Sequence, residues 1–255
     1  MYNKALNNYV ILRLIIRYHL IMPHILNIET ATEVCSVCIT NDESVIFSQE
    51  KKEGPSHASV LGKFIKEAVD FLKIQKRILD AVAVSCGPGS YTGLRIGVSE
   101  AKGLCYGMDI PLIAINTLEI MANHVIESKL ADNDSLLCPM IDARRMEVYD
   151  AIFDHQLEYV RKTSADIIDE NSFSDLLASN KITFFGNGSG KIKETLQHTN
   201  CIYIDNIYPM ATDMAELSLQ AFNNKDFVDV AYFEPFYLKE FVATVPKNKV
   251  LPRNE

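Results

Sequence analysis

Apolar and polar positions along this 255-residue chain follow a pattern that predicts two similar halves. In the first half, apolar runs rich in β-branched residues predict strands at 25–28, 34–39 and 45–49, with a hairpin turn at Asn41-Asp42. Apolar residues at helical spacing then predict a helix over 57–72, and the following pattern predicts a strand at 80–85, a helix over 90–106 and a strand at 112–115. The predicted order is βββαβαβ.

The second half repeats this order without visible sequence identity. Strands are predicted at 136–141, 146–153 and 157–162, then a helix around 173–177, a strand at 182–185, a glycine-rich turn, a helix to about 198 and a strand at 202–204. Two units with leading antiparallel hairpins and parallel crossovers favour a duplicated α/β fold. We therefore expect the actin-like ATPase (ASKHA) fold, with two βββαβαβα-type subdomains, rather than a Rossmann sheet, which lacks the leading meander.

The same pattern predicts where the subdomains begin and end. Residues 1–21 are expected to be an extension that is disordered or comes from a misassigned start, since Met22-Pro23 leads directly into the first strand. Residues 22–116 and 117–245 are expected to form the N-terminal and C-terminal subdomains, and a helix over about 210–223 is expected to pack back on the first. Residues 246–255 read as a polar tail.

Composition and net charge limit the kinds of molecule that this chain is expected to bind. The chain is 48% hydrophobic with a net charge of −8, which argues against a broad surface that grips nucleic acid. Its six cysteines lie mostly in apolar runs, as core residues do in a reducing compartment. The apolar segment 10–21 carries Arg13 and Arg17 and is too short to span a bilayer, so we expect a cytoplasmic protein without a membrane partner.

The segment 80–107 carries the most unusual pattern: a buried strand, a glycine-rich turn that Ser90 or Thr92 can cap, and a helix with small residues on one side. Gly93, Gly97 and Ala101 recur every four residues in that helix. Glycine inside a helix costs roughly 0.5–1 kcal/mol relative to alanine, so close approach by another group is expected. A phosphate, a helix of the same chain or another protein could be that group.

Three turns are candidates for contacts with a nucleotide, which the actin-like fold holds between its halves. The first contains Glu29 and Thr30, the second Asp142, and the third Gly186 and Gly188. These residues could bind phosphate and magnesium, or they could be ordinary polar turn residues that satisfy the backbone, which we favour. The third turn lacks the Walker lysine and the dinucleotide fingerprint.

Several blocks of sequence resemble one family closely. The segments ILNIETAT, GPSHASVL, AVSCGPGSYTGLRIGVSEAKGL, IDARRMEVYDAIF and EPFYLKEF, spread over about residues 22–245, are similar to the TsaB (YeaZ) family of glycoprotease-like proteins. The resemblance implies a cytoplasmic, non-catalytic subunit that pairs with the catalytic paralogue TsaD and the ATPase TsaE. That machinery transfers a threonylcarbamoyl group to the adenosine following the anticodon of ANN-decoding tRNAs. It also implies that this chain alone binds no cofactor, that ATP and metal belong to the partner subunits, and that the isolated chain forms homodimers.

A comparison with the catalytic paralogue tests the non-catalytic expectation. The paralogue carries a His-x-x-x-His pair one helical turn apart, which binds a metal. Here His57 stands at the first place and Leu61 at the second, so no metal site and no catalytic residue are assigned. Glu29 stands where relatives usually have Asp, which weakens an independent ATP site. An active phosphotransferase or ATPase, or a metal-dependent peptidase, remains the alternative.

Docking to a partner is the remaining role for the two helices at 57–72 and 90–106. Small residues would admit a partner's backbone while apolar side chains supply contact; the alternative is that the small residues pack on the chain's own sheet. The residues expected at the partner interface are His57, Leu61, Phe64, Ser90, Tyr91, Thr92, Gly93, Leu94, Arg95, Gly97, Val98 and Ala101.

Overall fold

A five-stranded mixed sheet forms the first half of the protein, in a computed structural model that describes residues 22–52 and 57–238. The predictions for 1–21 and 246–255 lie outside these residues. The strands are β1 (His24–Glu29), β2 (Cys35–Asn41), β3 (Ser44–Lys51), β4 (Ala81–Gly87) and β5 (Leu112–Asn116). Their order is β3-β2-β1-β4-β5, with β1, β2 and β3 antiparallel and β1, β4 and β5 parallel.

The second sheet repeats this topology. Its strands are β6 (Ser135–Asp142), β7 (Glu147–Phe153), β8 (Tyr159–Ile167), β9 (Lys181–Phe185) and β10 (Cys201–Ile204). Their order is β8-β7-β6-β9-β10, with the same pattern of antiparallel and parallel pairs. The predicted duplication and the α/β fold of the actin-like ATPase type are confirmed.

Helices separate and cover the two sheets. They are α1 (His57–Ile74), α2 (Tyr91–Met108), α3 (Thr117–Glu127), the short α4 (Ser174–Leu177) and α5 (Ala215–Asn224). Helices α1 and α2 lie side by side on one face of the first sheet, and their apolar residues share a core with Leu26, Val37 and Val82. None of the helices in the described part of the chain is long and apolar enough to cross a membrane.

Helix α3 belongs to the cores of both halves. Ile120 packs with Ile25 and Ile113 on the inner face of the first sheet, whereas Met121 packs with Phe153 of the second sheet. Helix α5 contacts β1 and β5, so the C-terminal helix packs back on the first sheet. The two sheets therefore sandwich α3 between them.

Two predicted helices differ from the structure. The helix predicted to reach about residue 198 is wrong, since only a 3-10 turn at Gly190–Ile192 and one further turn closed by Leu196 N–H to Ile192 O (2.8 Å) form there. Within that segment only Ile192 and Leu196 are buried, too short an apolar face to support a longer helix. The helix predicted over 210–223 begins as a 3-10 turn, Ala211–Met214, before α5.

Candidate functional site

The turn between β1 and β2, the first nucleotide candidate, is buried inside the protein. Glu29 is wholly buried, and its Oε1 accepts a 2.5 Å hydrogen bond from the Ala31 N–H. Burial raises the pKa of the Glu29 carboxyl to about 8, so the side chain is mostly neutral near pH 7. A neutral carboxyl makes a poor ligand for magnesium, which prefers anionic oxygen.

Helix α2 fills the space beside this turn. A Cβ added to Gly93 would lie 2.1 Å from the carbonyl oxygen of Thr30, and one added to Gly97 would lie 2.3 Å from Thr30 Oγ1. The Thr30 hydroxyl donates a 2.8 Å hydrogen bond to Gly93 O, and the Ser90 N–H donates to Ala31 O at 2.7 Å. The small residues of α2 therefore receive the chain's own turn.

This packing bears on the expected partner interface. Seven of its twelve residues are buried in the protein's own core: Leu61, Phe64, Gly93, Leu94, Gly97, Val98 and Ala101. The sequence held a signal for this outcome, because Gly93, Gly97 and Ala101 share a helical face with Leu94, Val98 and Cys105. The partly or fully exposed residues His57, Ser90, Tyr91, Thr92 and Arg95 remain predictions.

His57 makes a structural contact at the start of α1. Its Nε2 lies 2.6 Å from the carbonyl oxygen of Thr32, so this nitrogen donates to that carbonyl. Leu61, one turn further on, is fully buried in the core. Across residues 22–52 and 57–238, no group of three or more His, Cys, Asp or Glu side chains is placed to hold a metal ion.

The other two candidate turns lie together. Asp142 N–H donates to Asn187 Oδ1 at 2.9 Å, and the Asp142 carboxylate accepts from the Arg144 N–H at 2.8 Å and from Lys191 Nζ. A Cβ on Gly186, whose φ is +101°, would lie 2.3 Å from Met140 O, and one on Gly188 would lie 2.9 Å from Ile141 C. Close packing on β6 thus explains both glycines without a bound phosphate.

A hydrogen bond that the sequence gave no sign of connects these turns across the two halves. Asn187 Nδ2 donates to Glu33 Oε2 at 2.9 Å. Asp142 and the glycine turn therefore lie at the rim between the halves, close to Glu33, while Glu29 and Thr30 are buried behind it. The five nucleotide candidates do not line one open pocket in the described structure, because two of them are enclosed by protein.

Helices α1 and α2 pack against each other, and we call their solvent-facing side the outer face, defined by Gly62, Tyr91, Arg95, Gly103 and Tyr106. A Cβ added to Gly62 or Gly103 would meet no atom within 4 Å, so both glycines face open space. Tyr106 is 86% exposed. Arg95 Nη1 donates to the Tyr91 hydroxyl at 2.9 Å.

The segment 228–237, which follows α5, packs along α2 beside the outer face. It runs along α2 in the opposite direction: Val228 N–H donates to Leu112 O at 2.9 Å, Lys102 Nζ donates to Phe233 O at 2.9 Å, and Phe236 N–H donates to Cys86 O at 2.7 Å. The Tyr237 ring then lies 4.9 Å from the Tyr91 ring. The position of Tyr91 on the outer face is therefore fixed by residues more than a hundred positions away.

Comparison with known proteins identifies the family. The tRNA threonylcarbamoyladenosine biosynthesis protein TsaB of Escherichia coli (strain K12) is 30% identical over 230 residues, which make up 86% of this chain and 96% of that protein. The family TsaD: tRNA N6-adenosine threonylcarbamoyltransferase matches residues 44–247. This chain belongs to the TsaB family.

Other TsaB relatives agree in sequence and in structure. TsaB of Haemophilus influenzae is 30% identical over 86% of this chain and 94% of its own length. The structure titled YeaZ from Pseudomonas aeruginosa superposes with a TM-score of 0.70 at 25% identity, covering 85% of this chain and all of that one. The family resemblance read from the sequence motifs is confirmed, and this TsaB-family chain takes part in threonylcarbamoyladenosine biosynthesis.

Proposed function

We propose that this chain is a non-catalytic subunit of the cytoplasmic tRNA threonylcarbamoyladenosine machinery. It docks a TsaD-like catalytic paralogue, acts together with a TsaE-like ATPase, and supports threonylcarbamoyl transfer to the adenosine following the anticodon of ANN-decoding tRNAs. The observation that carries the proposal is the packing of α2 into the first hairpin turn, where Thr30 lies against Gly93 and Gly97. The chain itself fills the space beside this turn, which favours a role other than holding a phosphate there.

The donor atoms around the cleft also favour a non-catalytic role. Glu29 is buried and mostly neutral, the Asp142 carboxylate already accepts a hydrogen bond from Lys191, and the His57 ring donates to a carbonyl oxygen. A magnesium–nucleotide complex is held best by ionised carboxylates that can turn toward it. We therefore assign ATP and metal to the partner subunits.

The outer face has the chemistry of a docking surface. Gly62 and Gly103 would let a partner helix approach the backbones of α1 and α2 closely, as small residues do where helices cross. Tyr91, Arg95 and Tyr106 are of the residue types that dominate binding energy at protein interfaces. Two copies of the same face can also meet around a two-fold axis, so we propose a homodimer when the catalytic paralogue is missing.

Co-expression with the TsaD-like paralogue tests the docking surface. Gly103→Arg adds bulk and charge at the centre of the outer face, and we expect it to abolish co-elution on size exclusion and to reduce threonylcarbamoyladenosine formation by ten-fold or more. Ala178→Arg, a change at an exposed position after α4 in the second half, is the matched control and should leave both unchanged. Gly97 is unsuitable for this purpose because substitution there would disturb the fold.

Two results would contradict the proposal. Co-elution of the Gly103→Arg variant at the wild-type ratio would show that docking uses another surface. ATP hydrolysis by the purified chain at the rate of the whole complex would show that this subunit is itself the ATPase.

A further inference from the structure

The turn between β6 and β7 holds two consecutive arginines in the left-handed backbone region. The φ angles are 74° at Arg144 and 54° at Arg145, and both side chains are exposed. Two hydrogen bonds close the turn, from the Glu147 N–H to Arg144 O (3.2 Å) and from the Ala143 N–H to Glu147 O (3.1 Å). Gly, Asn and Asp are the residues that adopt this conformation readily, so arginine at both positions is unfavourable for the turn itself.

The surrounding charges leave the turn locally positive. Three cationic side chains, Arg144, Arg145 and Lys191, lie at or beside the turn, against the two carboxylates of Asp142 and Glu147. The Asp142 carboxylate accepts hydrogen bonds from Lys191 Nζ and from the Arg144 backbone N–H. Among the residues that the structure describes, neither arginine takes part in an ion pair. Two guanidinium groups therefore stand at an exposed turn of a chain whose net charge is −8.

The shape of this region favours an extended anion over a small anion held in a pocket. The neighbouring cleft does not offer an enclosed pocket, because Asn187 and Glu33 bridge its rim and Glu29 and Thr30 are buried behind them. An exposed pair of guanidinium groups suits an extended chain of phosphates, to which arginine can donate two parallel hydrogen bonds.

We infer that the Arg144–Arg145 turn contacts the phosphate backbone of the tRNA substrate; this inference rests on the proposed function. The contact is local, and the acidic remainder of the chain repels RNA and so confines it to this edge. Phosphate contacts of this kind position a nucleic acid without reading its sequence. The turn therefore helps to hold the tRNA in register while the catalytic paralogue acts.

The test uses the complex of this chain with its TsaD-like and TsaE-like partners and an unmodified ANN-decoding tRNA transcript. Arg144→Asn with Arg145→Gly removes two positive charges and installs residues that favour positive φ. We expect tRNA affinity to fall about ten-fold near 0.1 M salt, and the slope of log affinity against log salt to decrease by about 1 to 2. The melting temperature should equal or exceed that of the wild type, which shows that the turn still folds.

Lys76→Asn with Lys129→Asn is the matched control, because it also removes two positive charges at exposed positions with positive φ angles, 57° and 52°. Lys76 follows α1 and Lys129 follows α3, so neither belongs to the Arg144–Arg145 turn. We expect the control to bind tRNA within two-fold of the wild type. A binding curve for the arginine variant that overlaps the wild type would overturn the inference. Loss of the TsaD-like partner on size exclusion would also overturn it, since the arginines would then belong to a protein interface.

The proposed function is tested separately by the amount of threonylcarbamoyladenosine formed with and without the wild-type chain. If the chain has no effect on that amount, the proposed function fails, whatever the arginines do. If the chain is required but the arginine variant binds tRNA normally, only the inference about the turn fails.

Discussion

The hydroxyl oxygen of Thr30 lies 2.8 Å from the carbonyl oxygen of Gly93, to which it donates a hydrogen bond. This bond joins the first hairpin turn to the first turn of α2, and the glycine leaves no space between the two backbones. A turn of this kind could hold phosphate only if α2 moved away. The relationship explains the structural role of these glycines, which is to let α2 pack directly against the first hairpin turn.

Replacing Gly93 by Ala should destabilise the fold. The new Cβ would lie 2.1 Å from the Thr30 carbonyl oxygen, and a backbone atom cannot move aside as a flexible side chain does. We expect the free energy of unfolding in urea to fall by about 1–3 kcal/mol, the usual cost of overpacking. Gly103→Ala, in open space on the same helix, should raise it by roughly 0.5–1 kcal/mol. Equal effects of the two changes would contradict this account.

Stability should fall with rising pH because of Glu29. Burial raises the pKa of its carboxyl from 4.5 to about 8, so the folded protein holds a proton that the unfolded chain releases. The stability associated with this proton is fully present below about pH 4.5 and is lost as the pH rises towards 8. A single group of this kind contributes a slope of about 1.4 kcal/mol per pH unit.

Glu29→Gln isolates that contribution, because the amide oxygen can still accept from the Ala31 N–H but the side chain does not titrate. The free energy of unfolding in urea, measured between about pH 5 and 8, should depend less on pH for the variant than for the wild type. The stability of the variant relative to the wild type should therefore increase as the pH rises. Parallel curves would mean that Glu29 is ionised in the folded protein.

Asp150 should matter more than Asp166 to the stability of the second half. Both carboxylates accept hydrogen bonds from Arg161, but Asp150 is wholly buried and Asp166 is about a third exposed. Asp150→Ala leaves the Arg161 guanidinium without its buried partner, and we expect the free energy of unfolding to fall by about 2–3 kcal/mol. This is less than for a fully buried pair, because the Arg161 side chain is itself 32% exposed. Asp166→Ala should cost about 1 kcal/mol or less in the same chemical denaturation measurement.

The hydrogen bond between Asn187 and Glu33 can be tested by placing a negative charge at position 187. Asn187→Asp keeps an acceptor for the Asp142 N–H but places a carboxylate against that of Glu33, so we expect faster hydrogen exchange in the two turns that the bond connects. Adding Glu33→Gln should restore protection. A coupling energy of about 0.5–1 kcal/mol in the double-mutant cycle would support the bridge, and additive effects would argue against it.

Most elements of the first half could be predicted from sequence because each has an apolar face of regular period. The strand at 80–85 and the helix at 57–72 differ from β4 (Ala81–Gly87) and α1 (His57–Ile74) by two residues or fewer at each end. The sequence pattern does not predict α3, because Ile120 faces one sheet and Met121 the other, and a helix covered on both sides lacks the polar face that marks an amphipathic helix.

The site was harder to predict because sequence spacing does not show which neighbour a helix face meets. The helix at 90–106 carries small residues on two sides: Gly93 and Gly97 face the turn between β1 and β2, and Gly103 faces solvent. Only the fold shows that the first pair admits Thr30 and that Gly103 meets no other atom of the chain within 4 Å. The Asn187–Glu33 bond joins residues 154 positions apart and has no local signal at all.

The inner face of the first sheet receives its cover from the end of the chain. The Ala211 N–H donates to Ser36 Oγ, Cys38 Sγ bonds to Ala211 O, and Met214 packs beside Ile25. During synthesis β1 and β2 leave the ribosome more than 170 residues before this cover does, so the first half must wait for almost the whole chain before its core is closed. A nascent chain stalled before residue 211 therefore presents a half-covered sheet, and we expect such a chain to bind chaperones at the ribosome exit.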